Sequence, residues 1–341
     1  AENTITLHKV DASTNVPMAR NWAPIKINGE NAYVIADTGH EFQDREFPHG
    51  DVWIAKLDQE GEFDVVPISS VKAFYHDVEV GDINNDGLDD IIAVNMGYKD
   101  GADPYELHAF MQKKDGTFEQ DMGFMSFSDG IPMLGGAAVA LENIDNDPEL
   151  EIVQSAYSVR DFPNWDMENL FRVWDQNENG QYELAFSGAR SGKAEAVGTS
   201  GIYVTDLDLD GDNDLVFWME TGKSISDFSG TSTYHPRGIQ IWENQGDLDF
   251  VNATNDWLEN SIWLNSEIGG PGLEVADLNG DGYTDIFINA SNGSLLDGSF
   301  DQYNFGSVIF INHEGKSFRH LKDVEELTVD IDGGPKTISK V

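Results

Sequence analysis

Asp82-Ile83-Asn84-Asn85-Asp86-Gly87-Leu88-Asp89-Asp90 is an acidic stretch that the chain uses four times. It returns as Asn143-Ile144-Asp145-Asn146-Asp147-Pro148-Glu149-Leu150-Glu151, as Asp206-Leu207-Asp208-Leu209-Asp210-Gly211-Asp212-Asn213-Asp214, and as Asp277-Leu278-Asn279-Gly280-Asp281-Gly282-Tyr283-Thr284-Asp285. Each copy sets oxygen-bearing side chains at positions 1, 3, 5 and 9, and three of the four carry Gly at position 6. Hard oxygen ligands crowded on a tight turn suit Ca²⁺, and glycine permits the bend that aims them inward. The candidate ligands are Asp82, Asn84, Asp86, Asp90 and the Leu88 carbonyl in the first copy, and Asn143, Asp145, Asp147, Glu149 and Glu151 in the second. The third offers Asp206, Asp208, Asp210, Asp212 and Asp214, and the fourth Asp277, Asn279, Asp281, Tyr283 and Asp285. About four Ca²⁺ ions are expected, one per loop. The EF-hand is excluded, because it needs an acid at position 12 and flanking helices. Ala93, Phe217 and Ile288 stand there in the first, third and fourth copies, inside strand patterns. One such cluster alone would read as an ordinary polar turn; four in equivalent places do not. The second copy is the weakest, since Asn143 replaces the first Asp and Pro148 fixes φ where the others bend at glycine.

The copies begin 61, 63 and 71 residues apart, a period that marks a repeat architecture. Short strand-like runs flank each loop: the alternating His76–Val80 and Ile91–Val94, Ala138–Leu141 and Ile152–Gln154, Ile202–Val204 and Leu215–Trp218, Leu273–Val275 and Ile286–Ile288. A Gly-bearing hairpin signal follows in every unit, at Gly61, Gly116, Gly180, Gly246 and Gly315. Strand, acidic loop, strand, long loop, strand, hairpin, strand is the plan of a four-stranded propeller blade. The expected fold is therefore all-β, a single β-propeller domain over 1–341. Its five visible blades lie at about 18–70, 71–130, 131–195, 196–264 and 265–323. The first blade, with inner strands at Trp22–Ile27 and Ala32–Ala36, lacks the metal loop. Thr4–Val10, within residues 1–12, reads as a closing outer strand, and residues 324–341 as the start of a further blade. The expectation is a fragment of a ring of six or seven blades, with the missing blade supplied by further sequence or another chain.

Composition narrows the setting. No cysteine is present, so neither disulfides nor thiolate metal sites are available, and metal is the staple the chain offers. No apolar run approaches the roughly 20 residues of a membrane span, so membrane insertion is not expected. The formal net charge is −42, from 62 acidic and 20 basic residues, and four bound Ca²⁺ would still leave about −34. Such a field repels nucleic acid and anionic membranes and keeps a protein soluble in salty water. Millimolar extracellular Ca²⁺ fills even weak loops. These features favour an exported bacterial protein, secreted or at the cell surface, with the periplasm as an alternative.

Val80-Gly81-Asp82-Ile83-Asn84-Asn85-Asp86-Gly87 and Val275-Ala276-Asp277-Leu278-Asn279-Gly280-Asp281-Gly282 resemble the repeat of the FG-GAP/VCBS propellers, which are related to the integrin α-chain head. The resemblance covers about residues 20–323. It implies a propeller of about seven blades with Ca²⁺ held between the first two strands of a blade. It also implies a role in adhesion, as a lectin, or beside polysaccharide-degrading enzymes.

The long loops at the other end of the strands are Gly39–Gly50, Gly97–Glu106, Ser158–Asn169, Thr221–Gly238 and Asn292–Gly306. Variable loops on one face of a rigid scaffold are where binding resides. Their aromatics Tyr98, Tyr105, Phe162, Trp165, Tyr234 and Tyr303 suit stacking on sugar rings. The expected function is a calcium-stabilised binding module for carbohydrate or a cell-surface protein. The alternative is a polysaccharide lyase acting on uronate polymers such as ulvan, chemistry with precedent in propeller ulvan lyases. Arg237 or Arg160 would neutralise the uronate carboxylate there, His235 or Tyr234 would move the C5 proton, and His40 and His49 complete the candidates. Those residues show no diagnostic spacing.

Overall fold

The structure, a computed structural model, describes residues 18–39, 50–58, 63–96, 106–121, 124–125, 134, 136–145, 147–156, 169–189, 197–221, 238–258, 269–291, 308–320, 326–330 and 335–339. Its strands form five four-stranded antiparallel sheets arranged as blades. Blade 1 holds β1 (Ala19–Ile27), β2 (Glu30–Asp37), β3 (Val52–Leu57) and β4 (Phe63–Pro67). Blade 2 holds β5 (Tyr75–Gly81), β6 (Asp90–Asn95), β7 (Leu107–Gln112) and β8 (Phe118–Asp121). Blade 3 holds β9 (Gly136–Glu142), β10 (Glu151–Ala156), β11 (Asn169–Gln176) and β12 (Tyr182–Ala189). Blade 4 holds β13 (Val197–Thr205), β14 (Asp214–Thr221), β15 (Gly238–Asn244) and β16 (Phe250–Asn252). Blade 5 holds β17 (Gly269–Ala276), β18 (Asp285–Ser291), β19 (Val308–Asn312) and β20 (Phe318–His320). In every sheet the strands lie side by side in chain order, so each blade is a simple meander.

The apolar runs of blades 2 and 3 are continuous because these blades are covered on both faces, whereas β1 of blade 1 alternates between buried and exposed. Successive side chains of a strand point to opposite faces, and blades 2, 3 and 4 each have a neighbour on either side. In β6, Ile91 and Ala93 pack toward blade 1, whereas Ile92 and Val94 pack toward blade 3. In β14, Leu215 and Phe217 join the core shared with blade 3, and Val216 and Trp218 the core shared with blade 5. Every residue of β6 and of β10 is buried. Four such cores join the five blades in sequence.

Blade 1 turns from β1 to β2 through Asn28 and Gly29, both at positive φ (54° and 80°). This is a two-residue hairpin with the left-handed pair such a tight turn requires, where the other blades insert an acidic loop. A short helix, α1 (Thr254–Trp257), follows β16 and was not foreseen from the sequence. It places Trp257 in the core between blades 4 and 5. β21 (Glu326–Asp330) and β22 (Pro335–Ser339) pair with each other as an antiparallel hairpin. Thr4–Val10, read as a closing strand, lies outside the described residues.

Candidate metal centres

Each acidic loop joins the first two strands of its blade, between β5 and β6, β9 and β10, β13 and β14, and β17 and β18. The backbone is shaped alike in three of them. Position 4 is left-handed at Asn85 (φ 57°), Leu209 (φ 62°) and Gly280 (φ 81°). Position 6 is left-handed at Gly87 (φ 84°), Gly211 (φ 103°) and Gly282 (φ 93°). Leu209 holds that conformation without glycine's freedom, a strained choice that the loop overrides.

The same three loops share a hydrogen-bond pattern. The position-1 carboxylate accepts two backbone N–H groups, from positions 5 and 6. Asp82 takes those of Asp86 (3.0 Å) and Gly87 (2.7 Å). Asp206 takes those of Asp210 (3.2 Å) and Gly211 (3.0 Å). Asp277 takes those of Asp281 (3.2 Å) and Gly282 (2.9 Å). At position 3 a side-chain oxygen of Asn84, Asp208 or Asn279 accepts the position-5 N–H, and the position-5 carboxylate accepts the position-7 N–H. These bonds fix the carboxylates while leaving further lone pairs for a cation.

The second loop departs from this pattern. Asp145 and Asp147 keep their bonds to the N–H groups of Asp147 (3.1 Å) and Glu149 (2.8 Å). Pro148 has no N–H to give, and Asn143 donates its side-chain N–H to the Asp147 carbonyl. The expected weak copy is the one whose backbone differs.

Position 9 is the buried end of each site. Asp90, Glu151, Asp214 and Asp285 are all buried. Asp90 accepts the N–H of Gln112 (2.7 Å), Asp214 that of Asn244 (2.9 Å) and Asp285 that of Asn312 (2.8 Å). Asp214 and Asp285 also accept the position-2 N–H groups of Leu207 and Leu278. Burial pushes Asp90 and Asp214 up to about 7, Asp285 to about 6 and Glu151 to about 8. Asp90 Oδ2 and Glu151 Oε1 reach no hydrogen-bond partner of ordinary geometry. Buried carboxylates with orphaned oxygens and further acids beside them are what a divalent cation would satisfy. One oxygen from each of Asp206, Asp208 and Asp210 lies within 4.8 Å of the others. Two oxygens on one Ca²⁺ at 2.3–2.6 Å stand at most about 5 Å apart. The residues present therefore fit the ion.

Two third-strand acids escaped the sequence analysis. Strand register places Phe110, Trp174, Trp242 and Phe310 opposite the residue after position 9. The next residue in each third strand is Met111, Asp175, Glu243 or Ile311, followed by Gln112, Gln176, Asn244 or Asn312. The recurring aromatic, variable residue and amide were legible signals. Gln112, Gln176 and Asn312 each donate a side-chain N–H to the preceding blade, at the carbonyls of Lys26, Ile83 and Leu207. Ile83 and Leu207 are position 2 of the first and third metal loops, so loop shape and blade packing are coupled. Asn244, whose neighbour is the deviant second loop, has a buried Nδ2 without a partner.

On the inner strand of blade 2, Asp77 ties three blades together. Its carboxylate accepts N–H groups from Asn21 of blade 1, its own neighbour Val78 (3.0 Å) and Val139 of blade 3 (3.0 Å). Burial pushes this carboxyl up to about 6, although the hydrogen bonds oppose the shift. A carboxyl raised on folding stabilises most when protonated, and that contribution is lost as pH rises through about 6. Asp77→Asn cannot ionise. The stability of the variant relative to the wild type is therefore expected to rise by about 1 kcal/mol between about pH 5 and pH 8. Parallel melting curves for the two proteins across that range would contradict the assignment.

None of the residues named for lyase chemistry (His40, His49, Arg160, Tyr234, His235 and Arg237) lies among the described residues. The same holds for the loop aromatics Tyr98, Tyr105, Phe162, Trp165, Tyr234 and Tyr303.

The FG-GAP repeat family model matches residues 269–311, which run from β17 through the fourth acidic loop and β18 into β19. Integrin alpha ina-1 of Caenorhabditis elegans is 32% identical over 104 residues, covering 28% of this chain and 8% of that protein. A solved structure, that of the V. cholerae biofilm matrix protein Bap1, is similar with a TM-score of 0.43 and 12% identity, over 91% of this chain and 40% of that one. The chain thus spans less than a tenth of the integrin's length and less than half of the Bap1 chain. With the five blades, the repeat match and the integrin relative support an FG-GAP-repeat, integrin-like β-propeller. Among the described residues, no helix is long and apolar enough to cross a membrane.

Proposed function

We propose that the chain is a calcium-stabilised β-propeller binding module, secreted or displayed at a cell surface, that holds a carbohydrate or a surface protein on its long-loop face. The observation that carries the calcium part is the set of acidic loops, each backed by a buried position-9 carboxylate. The integrin relative favours an extracellular or surface location and adhesion. The binding face rests on the composition of the long loops and on the meander topology, which returns every second-to-third-strand connection to the end opposite the metal loops.

A further blade, from continuing sequence or another chain, fits the outer face of blade 1. Trp22 is 61% exposed there, with Tyr33 edge-on at 5.4 Å. Aromatic surface of this kind is what the other blade faces bury, for example Trp174 and Phe217.

A glycan array with the Ca²⁺-loaded protein tests the module, with ulvan, alginate, pectin and glycosaminoglycans as soluble polymers. Binding without growth of the ultraviolet absorbance of an unsaturated uronate is the expected result. Growth of that absorbance would replace the module with a lyase. Inert behaviour on both, together with no adhesion to cells, would leave a structural assembly.

A further inference from the structure

We propose that Asp175, on the third strand of blade 3, completes a divalent-cation site with Asp145 and Glu151, in the role that the position-1 carboxylate fills in the other loops. The inference rests on the calcium reading above and gives one blade a ligand that does not come from its loop.

The second loop needs such a ligand. Position 1 is Asn143, which donates to the Asp147 carbonyl, so the carboxylate that organises the other three loops has no counterpart within this one. Asp175 precedes Gln176 at the end of β11, the place held by Met111, Glu243 and Ile311 in blades 2, 4 and 5. Met111 and Ile311 carry no oxygen in their side chains. Glu243 is an acid, but its Oε1 accepts the indole N–H of Trp257. Blade 3 thus joins a deviant loop to a third-strand carboxylate that, among the described residues, no indole engages.

Geometry brings the three acids together. One carboxylate oxygen from each of Asp145, Glu151 and Asp175 lies within 4.8 Å of the others, which is within the span of two oxygens on one Ca²⁺. A second observation points to a missing ligand. Glu151 is 0% exposed, and while its Oε2 accepts the Ile144 N–H, its Oε1 has no partner. Asp175 Oδ1 is likewise buried without a partner. The charged groups that bear most on Glu151 are Asp145, Asp175 and Asp147, all acids. A buried carboxylate facing two half-buried ones is unfavourable while ionised unless a positive charge sits among them, and a hard divalent ion supplies it. The ion in this blade then sits toward the third strand, against the sheet, rather than in the mouth of the loop.

The test is calorimetric titration of metal-stripped protein with Ca²⁺, on the whole chain. The variants are Asp175→Ala, the near-isosteric Asp175→Asn, Asp145→Ala, the pair Asp145→Ala/Asp175→Ala, and Asp281→Ala as a control in blade 5. A near-ultraviolet dichroism spectrum like that of the wild type shows that each variant is folded. The expected result is loss of one site, or a tenfold or greater fall in its affinity, in Asp175→Ala, with a smaller fall in Asp175→Asn. The double variant should bind no worse than Asp145→Ala alone, because both residues serve one ion. Wild-type binding in both Asp175 variants, with a site lost in Asp145→Ala, would overturn the role of Asp175 while leaving the calcium loops standing. A site lost in Asp281→Ala but in no blade 3 variant would overturn the blade 3 site alone. No Ca²⁺ binding by the wild type would overturn the calcium reading itself, and this inference with it.

Discussion

Stripping calcium with a chelator is expected to lower the melting temperature by about 10 °C or more at constant ionic strength, and re-adding Ca²⁺ to restore it. The size follows from mass action. A ligand at a hundredfold its dissociation constant stabilises by about 2.7 kcal/mol per site, and four loops act together. Each kcal/mol moves the midpoint of a large domain by about 2–4 °C. The physical cause lies in the loops. One oxygen from each of Asp206, Asp208 and Asp210 lies within 4.8 Å of the others, and behind them Asp214 is buried, pushed up to about 7 by burial and by the neighbouring charges of Asp208 and Glu243. Removing the cation leaves these groups to repel one another or to take up protons. The amides of Gln176 and Asn312 bond to loop carbonyls one blade away, so a loop that loosens also frees a blade contact. A melting curve unchanged by chelation would remove calcium as the staple.

The second large effect is expected at Phe171. It is fully buried between blades 3 and 4, with ring centroids 4.7 Å from Phe217, 5.0 Å from Trp242 and 5.8 Å from Phe186. Phe171→Ala should cost about 3–5 kcal/mol in chemical denaturation, since it removes an aromatic ring and leaves a cavity among rings that cannot collapse into it. Gly188 on the neighbouring strand gives an independent check. A Cβ there would lie 1.9 Å from Phe171 Cε1, so Gly188→Ala must displace the same ring. Its destabilisation should shrink in the Phe171→Ala background, where the ring is gone. A loss below about 1 kcal/mol for Phe171→Ala would mean that the blade 3–blade 4 core is looser than its packing indicates.

Much of the blade plan was legible in one dimension. His76–Val80 before the loop and Ile91–Val94 after it placed two antiparallel strands around an acidic turn, and β5 and β6 lie there. The doubly apolar run Ile91–Val94 could not say which residue faces which neighbour. That depended on the blades to either side, and alternation divides the run between two cores. α1 was missed because four residues carry too little periodicity to register. Trp257 on it is held by a contact with Glu243 that no local signal announces.

The sequence by itself determined the repeat, the strand order within each blade and the loops rich in carboxylates. These depend on neighbours a few residues apart: alternating apolar side chains, glycine at a left-handed bend, and oxygens at every second position. It also marked the second loop as the exception, because proline's missing N–H and fixed φ act locally. Only the tertiary structure decided that Asp175 stands beside Asp145 and Glu151. Only it showed that Gln176 reaches the loop of the preceding blade at Ile83, 93 residues earlier in the chain. Strand register and blade stacking bring such groups together across long separations, and neither is encoded in the spacing of any single segment.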